Sequence, residues 1–176
     1  MRRTCLLFVS MACSLVLTGV CGAEVVKFFY PGGALRSEYT LKDGKLEGLS
    51  KKYYESGTLK AEELYSGGKL EGIIKKYNEQ GNLEAEINYV AGKREGLAKT
   101  YHDNGRVKGE FFFRSGKPDG LIKVYGADGA ILGQGVFAQG VREGTTIIYS
   151  DQGKPRFIDV YKNGVRVSRK PASPVR

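Results

Sequence analysis

The sequence predicts an all-β protein: an elongated antiparallel β-meander of 24-residue hairpin repeats, with about 12 strands. Three observations predict it. The 176 residues include 25 glycines, 11 tyrosines and no tryptophan, and this much glycine disfavours long helices, each internal Gly costing roughly 1 kcal/mol against Ala. Glycine and tyrosine recur every 24 residues, with no insertion or deletion between Phe29 and Gly164. The stretches between glycines alternate apolar and polar residues, the period of a half-buried strand. A hydrophobic content of 41% with 27% charged residues excludes a disordered tail and a multi-pass membrane protein.

Residues 1–23 read as a secretory signal peptide. Arg2 and Arg3 form a basic start, Cys5 to Val20 is almost wholly apolar, and Cys21-Gly22-Ala23 is a small-residue exit. As a helix the apolar run would span about 24 Å, short of the roughly 30 Å bilayer core, which favours cleavage over a retained anchor. The expected location is exported, periplasmic or extracellular. A lipoprotein anchored through Cys21 is the minor alternative, because lipoprotein signals want a small residue before the cysteine and Val20 stands there. Cleavage removes Cys5, Cys13 and Cys21, leaving neither disulfides nor thiolate metal sites.

Residues 24–165 form the repeat domain, with a partial first unit and further units starting near residues 44, 68, 92, 116 and 140. One glycine series runs through Gly44, Gly68, Gly92, Gly116, Gly140 and Gly164, and a second through Gly48, Gly72, Gly96, Gly120 and Gly144. The third, Gly33, Gly57, Gly81, Gly105, Gly129 and Gly153, marks the structural turns. In one unit a strand at 49–54 turns through 55–57 into a return strand at 58–65, and 66–68 leads onward. Both turns are expected to be type I turns closed by a left-handed glycine. Gly109, outside the three series, is expected to tolerate alanine better than Gly105 or Gly129 tolerates valine.

The row Tyr53, Tyr77, Tyr101, Tyr125 and Tyr149 shares strand parity with Leu49, Ile73, Leu97 and Leu121. The two rows are expected to bury one another, which makes these tyrosines structural core. In the return strands, Leu59, Leu83, Val107 and Ile131 share parity with the aromatic that ends each strand. Pro155 in the last unit suggests a terminal cap or frayed edge. Residues 166–176, basic and proline-containing, are expected to be a disordered tail.

The run Tyr65-Ser66-Gly67-Gly68-Lys69-Leu70-Glu71-Gly72, continuing to Tyr77 and Gly81, resembles the bacterial variant of the MORN repeat. Gly-Lys-x-Glu-Gly recurs at 44–48, 68–72 and 92–96, with Asp119 replacing Glu before Gly120. The resemblance covers roughly residues 25–165 and departs from the usual repeat in lacking tryptophan. It implies a scaffold or membrane-proximal adaptor, and the variant repeats also occur in antitoxin-like proteins.

The candidate binding residues are Lys27, Lys51, Lys75, Lys99 and Lys123, one per unit at the same place. Two readings stand. A ladder of ammonium groups flanked by tyrosines suits an envelope polyanion or an anionic membrane surface. Alternatively, each stem covers the apolar row and lifts its head into water. Glu38, Glu62, Glu86 and Glu110, continued by Gln134, have the opposite parity and are expected on the other, wetter face. Equivalent glutamates about 10 Å apart cannot share one calcium ion. Asp103, Asp128 and Asp151 read as turn formers.

His102 is the single histidine, and no nucleophile–His–acid set can be assembled around it. Gly133-Gln134-Gly135 has no following helix and is not a nucleotide fingerprint. No catalytic residue, cofactor or metal site is therefore expected. The net charge of +9 falls to +7 without Arg2 and Arg3, and four of the remaining basic residues lie in the last eleven positions. That distribution argues against nucleic acid. The expected function is an exported, non-catalytic scaffold or binding surface for a protein or envelope polymer. The alternative is an antitoxin-like or immunity-like protein that neutralises a toxin by binding it.

Overall fold

The structure is a computed structural model that describes residues 16–20 and 22–172. Most of the expected leader and residues 173–176 lie outside the described residues. Among the described residues there is no helix. The strands are β1 (Val16–Val20), β2 (Ala23–Phe29), β3 (Leu35–Lys42), β4 (Lys45–Tyr53), β5 (Leu59–Ser66), β6 (Lys69–Leu70), β7 (Gly72–Tyr77) and β8 (Leu83–Val90). They continue as β9 (Lys93–Tyr101), β10 (Val107–Arg114), β11 (Lys117–Tyr125), β12 (Ile131–Ala138), β13 (Val141–Tyr149), β14 (Pro155–Lys162) and β15 (Val165–Pro171). They form an open antiparallel meander in chain order, with β6 pairing β5 beside β7. The chain divides into two compact units, Met1–Leu83 with Tyr89–Gly92, and Glu84–Asn88 with Lys93–Arg176.

More strands form than the 12 expected, for three reasons. Val16–Val20, expected within the leader, pairs with β2. β6 and β7 are one strand interrupted at Glu71, whose N–H bonds the Leu64 carbonyl. The expected disordered tail is instead ordered as far as Pro171, because β15 pairs with β14 and Arg169 meets the buried carboxylate of Asp159. Pro155 accordingly frays nothing. It is the first residue of β14, opposite Tyr149, where a missing N–H is tolerated.

The turns are of two kinds. In those closed by Gly33, Gly57, Gly81, Gly105, Gly129 and Gly153, the glycine N–H returns to a carbonyl three residues back, as Gly57 does to Tyr54. All six glycines have positive φ, as expected of the turn series. The other turns depart from expectation. Asp43-Gly44, Gly67-Gly68, Ala91-Gly92, Ser115-Gly116, Gln139-Gly140 and Asn163-Gly164 have positive φ at both central residues, the two-residue type I′ geometry matched to strand twist. The Gly48 series serves a third purpose. Gly144, at φ 69°, lies where the β12–β13 register slips from Thr146 opposite Gly135 to Glu143 opposite Val136, a β-bulge.

Bulges decide which face a residue joins. Lys52 stands opposite Ala61 but Tyr53 stands opposite Leu59, so Lys60 is an extra residue and parity flips across the hairpin. This corrects two expectations. The glutamate row shares the face of the lysine row, Lys51 standing opposite Glu62. Leu59 and Tyr65 lie on opposite faces, because the bulge falls between them.

The core is also displaced from the expected tyrosine–leucine face. Leu49 is 50% exposed and Ile73 59%, and the tyrosines beside them are only half-buried. The fully buried positions lie on the other face and are mostly small. In the first unit they are Val26, Ser50, Ala61 and Ile74; in the second they include Ala85, Ala98, Gly109 and Thr146. They fall into two 24-residue columns: Val26, Ser50, Ile74, Ala98 and Thr146, and Ala61, Ala85 and Gly109.

Candidate functional site

The tyrosine-bearing face carries two stripes in each unit. In the first unit, Lys27 pairs with Glu38 at 2.6 Å, and Lys51 and Lys75 each stand opposite Glu62 across neighbouring strands. The Tyr77 hydroxyl donates to Glu62 Oε2 at 3.2 Å. In the second unit, Lys99 and Lys123 both stand opposite Glu110, and Lys123 also stands opposite Gln134. The Tyr101 hydroxyl donates to Glu86 at 2.6 Å and the Tyr125 hydroxyl to Glu110 at 3.0 Å. All five lysines are half-buried. The stripe alternates ammonium, carboxylate and phenol, so each of these lysines has a carboxylate directly across the sheet.

Desolvation, reinforced by the hydrogen bond to Glu86 and by the charges of Glu86 and Glu110, pushes the Tyr101 phenol up to about 12. Tyr125 moves in the same direction through desolvation and its bond to Glu110. A phenol that donates to a carboxylate resists ionisation, since a phenolate would face a second negative charge. These tyrosines are donors fixed in the protonated state.

Beside this stripe runs an apolar one. Leu49 stands opposite Leu64 in the first unit, 50% and 40% exposed. In the second, Leu97 stands opposite Phe112 and Leu121 opposite Val136, all four exposed by 38% to 44%. Apolar pairs recurring in register differ from single scattered residues, which are ordinary on any surface.

The glutamate of Gly-Lys-x-Glu-Gly has a role that sequence reading missed. Glu47 Oε2 accepts from Gly67 N at 2.8 Å and Glu71 Oε2 from Ala91 N at 2.8 Å. Glu95 does the same for Ser115 and Glu143 for Asn163, each at 2.7 Å. Each carboxylate ties down the first left-handed residue of the next type I′ turn. Asp119, one methylene shorter, meets the side-chain amide of Gln139 at 3.1 Å and the Arg114 guanidinium at 3.9 Å instead of a turn N–H. The sequence carried the signal as a further acidic series, Glu47 to Glu143, at the 24-residue period.

His102 is structural. Tyr30 and Tyr54, at the equivalent place in other repeats, donate their hydroxyls to the carbonyls of Tyr53 and Tyr77. His102 Nε2 lies 2.9 Å from the Tyr125 carbonyl, which only accepts, so that nitrogen carries the proton. Asp128 acts as the expected turn former, its Oδ1 accepting from Ala130 N at 3.0 Å. Among the described residues no group of three His, Cys, Asp or Glu is placed to hold a metal ion.

Residues 46–66, 70–91 and 94–117 match the MORN repeat variant. No curated protein matches the chain. Among solved structures, an S. aureus TarM mutant in complex with fondaparinux, α-GlcNAc-glycerol and UDP is similar at 16% identity and TM-score 0.39, over 55% of this chain and 19% of that one. Another TarM structure is similar at 17% identity and TM-score 0.36, over 70% of this chain and 20% of that one. A porin-like protein from Bacteroides uniformis is similar at 9% identity and TM-score 0.25, over 90% of this chain and 92% of that one. The chain spans about a fifth of the length of the TarM chains.

Proposed function

Because the chain carries MORN repeat variants between residues 46 and 117, we propose that it is an exported, non-catalytic scaffold whose tyrosine-bearing face binds a protein partner. The observation that carries this reading is the pair of stripes. Apolar pairs stand exposed at successive repeats, beside lysines already matched by glutamates. Such a surface offers a partner apolar area to bury and oriented polar groups to fix its register. It suits a linear polyanion poorly, because each phosphate would approach a carboxylate together with an ammonium. The polymer and membrane-surface readings of the lysine ladder therefore rank second.

The test is capture from an envelope extract with the protein lacking residues 1–23 as bait. Changing Leu97 and Leu121 to Gln should lose the partner while circular dichroism stays unchanged. Changing Lys51, Lys75, Lys99 and Lys123 to Gln should weaken capture only modestly. The opposite ranking, together with a steep loss of capture in salt, would return the lysine ladder to first place.

A further inference from the structure

The second unit contains a cavity of about 250 Å³ created where the repeat departs from its own pattern. One repeat earlier, Phe111 stands between Ala98 and Ile122 on the neighbouring strands. Its ring lies over Gly109: a Cβ at that glycine would meet Phe111 Cε2 at 2.6 Å. The equivalent of Phe111 is Gly135, between Ile122 and Thr146. No ring covers Gly133, the equivalent of Gly109, where a Cβ would meet only the Ile147 carbonyl, at 3.4 Å. The Gly133-Gln134-Gly135 run thus has a structural consequence: it removes one phenyl group from the repeat.

Polar groups line the space. Thr146 is 8% exposed, and its Oγ1 has no hydrogen-bond partner within the protein. That oxygen lies 2.7 Å from where a Cβ of residue 135 would stand, so it points into the gap. A buried hydroxyl without a partner is destabilising, and a ligand able to accept its hydrogen would relieve that cost. Arg142 also lines the cavity, its guanidinium 5.3 Å from the Phe137 ring centre and 4.9 Å from that of Tyr161. No ion pair ties Arg142 to a carboxylate among the described residues. Asp159, opposite Thr146, and Arg169 line the cavity too, but they are held to each other through two hydrogen bonds of 2.8 and 2.9 Å.

We infer that this cavity binds a small aromatic carboxylic acid. The ligand's ring takes the place that Phe111 fills one repeat earlier, and its carboxylate accepts from Thr146 and Arg142. The volume lies below the roughly 300 Å³ at which drug-sized pockets begin, so the ligand is fragment-sized and its dissociation constant is roughly millimolar.

The probe is 3-phenylpropionate, titrated into the full chain and followed by amide shifts in NMR. Saturable shifts are expected at Gly133, Gly135 and Thr146. The neutral alcohol 3-phenylpropanol should bind about tenfold more weakly, as should the acid to Arg142→Gln, since each loses a charge-assisted hydrogen bond. Gly135→Phe combined with Thr146→Ala recreates the Ala98–Phe111–Ile122 row; it should abolish binding and raise Tm. Should that double variant fail to fold, Thr146→Val keeps the shape, removes the hydroxyl and should weaken the acid. Absence of saturable shifts up to about 20 mM would overturn the proposal. So would equal binding of acid and alcohol, or unchanged binding by both Arg142→Gln and Thr146→Val.

Discussion

At Ala91 the backbone holds φ at 49° although the residue has a Cβ. The left-handed region costs a non-glycine residue about 1–2 kcal/mol, and Gly67 fills the equivalent position one repeat earlier without that cost. Ala91→Gly should therefore stabilise the protein by up to about 1 kcal/mol after the added freedom of the unfolded chain, seen as a higher midpoint in urea. Gly105 and Gly109 make a second comparison. Gly105, at φ 78°, faces open space, so valine there suffers only backbone strain of about 1–3 kcal/mol. Gly109 is the buried one. Alanine there drives a methyl against Phe111 and approaches Thr100 Oγ1 at 3.1 Å, so its mildness relative to Gly105→Val, the sequence expectation, no longer holds. Both variants should melt early in urea.

Tyr101 brings pH dependence at the same scale. Its phenol is raised from an ordinary value near 10 to about 12, so the stability it contributes is complete below pH 10 and is lost as pH rises through about 12. Absorbance titration should show Tyr101 ionising among the last tyrosines. Tyr101→Phe should shrink that late component, to which Tyr65 also contributes, and flatten the alkaline limb of the Tm profile.

At the scale of the element, β15 pairs with β14 and also meets one buried charge. Asp159 is 1% exposed, and its carboxyl is held below the usual range, chiefly by hydrogen bonds from Arg169, with Arg166 3.6 Å away. A depressed carboxylate stabilises the fold above its unfolded value near 3.9, and that stability is lost as pH falls through the folded value. Arg169→Met leaves the carboxylate short of its main partner, so Tm should fall at neutral pH. Near pH 3 the gap from the unaltered protein should narrow. A gap unchanged with pH would mean that packing, not this ion pair, holds β15.

For the whole molecule, the repeat implies interchangeable units. Deleting residues 68–91 joins Gly67 to Gly92, which restores a type I′ Gly-Gly turn with Glu47 still placed to accept from Gly67 N. Nearest-neighbour stacking then survives and the shortened protein should melt cooperatively, a few degrees lower. Deleting residues 68–79 removes a single strand, reverses all later ones and sets unlike faces together. Calorimetry should show no cooperative transition for that variant.

The amino-acid sequence by itself determined the period, the antiparallel meander and the turn positions. These depend on local backbone needs: a left-handed residue at Gly57 or Gly105 is required whatever lies across the sheet. It also placed Lys51 and Tyr53 on the face they occupy, because alternation within one uninterrupted strand is local. The tertiary structure alone decided which face is buried, because the bulge at Lys60 adds a residue and reverses parity, setting Glu62 against Lys51. It alone assigned Glu95, whose partner Ser115 lies 20 residues away, and ordered β15, whose basic composition reads as a tail until Asp159 is seen buried beneath it. The cavity at Gly135 likewise exists only in the fold, because a missing side chain leaves space only where no neighbouring side chain on that face covers it.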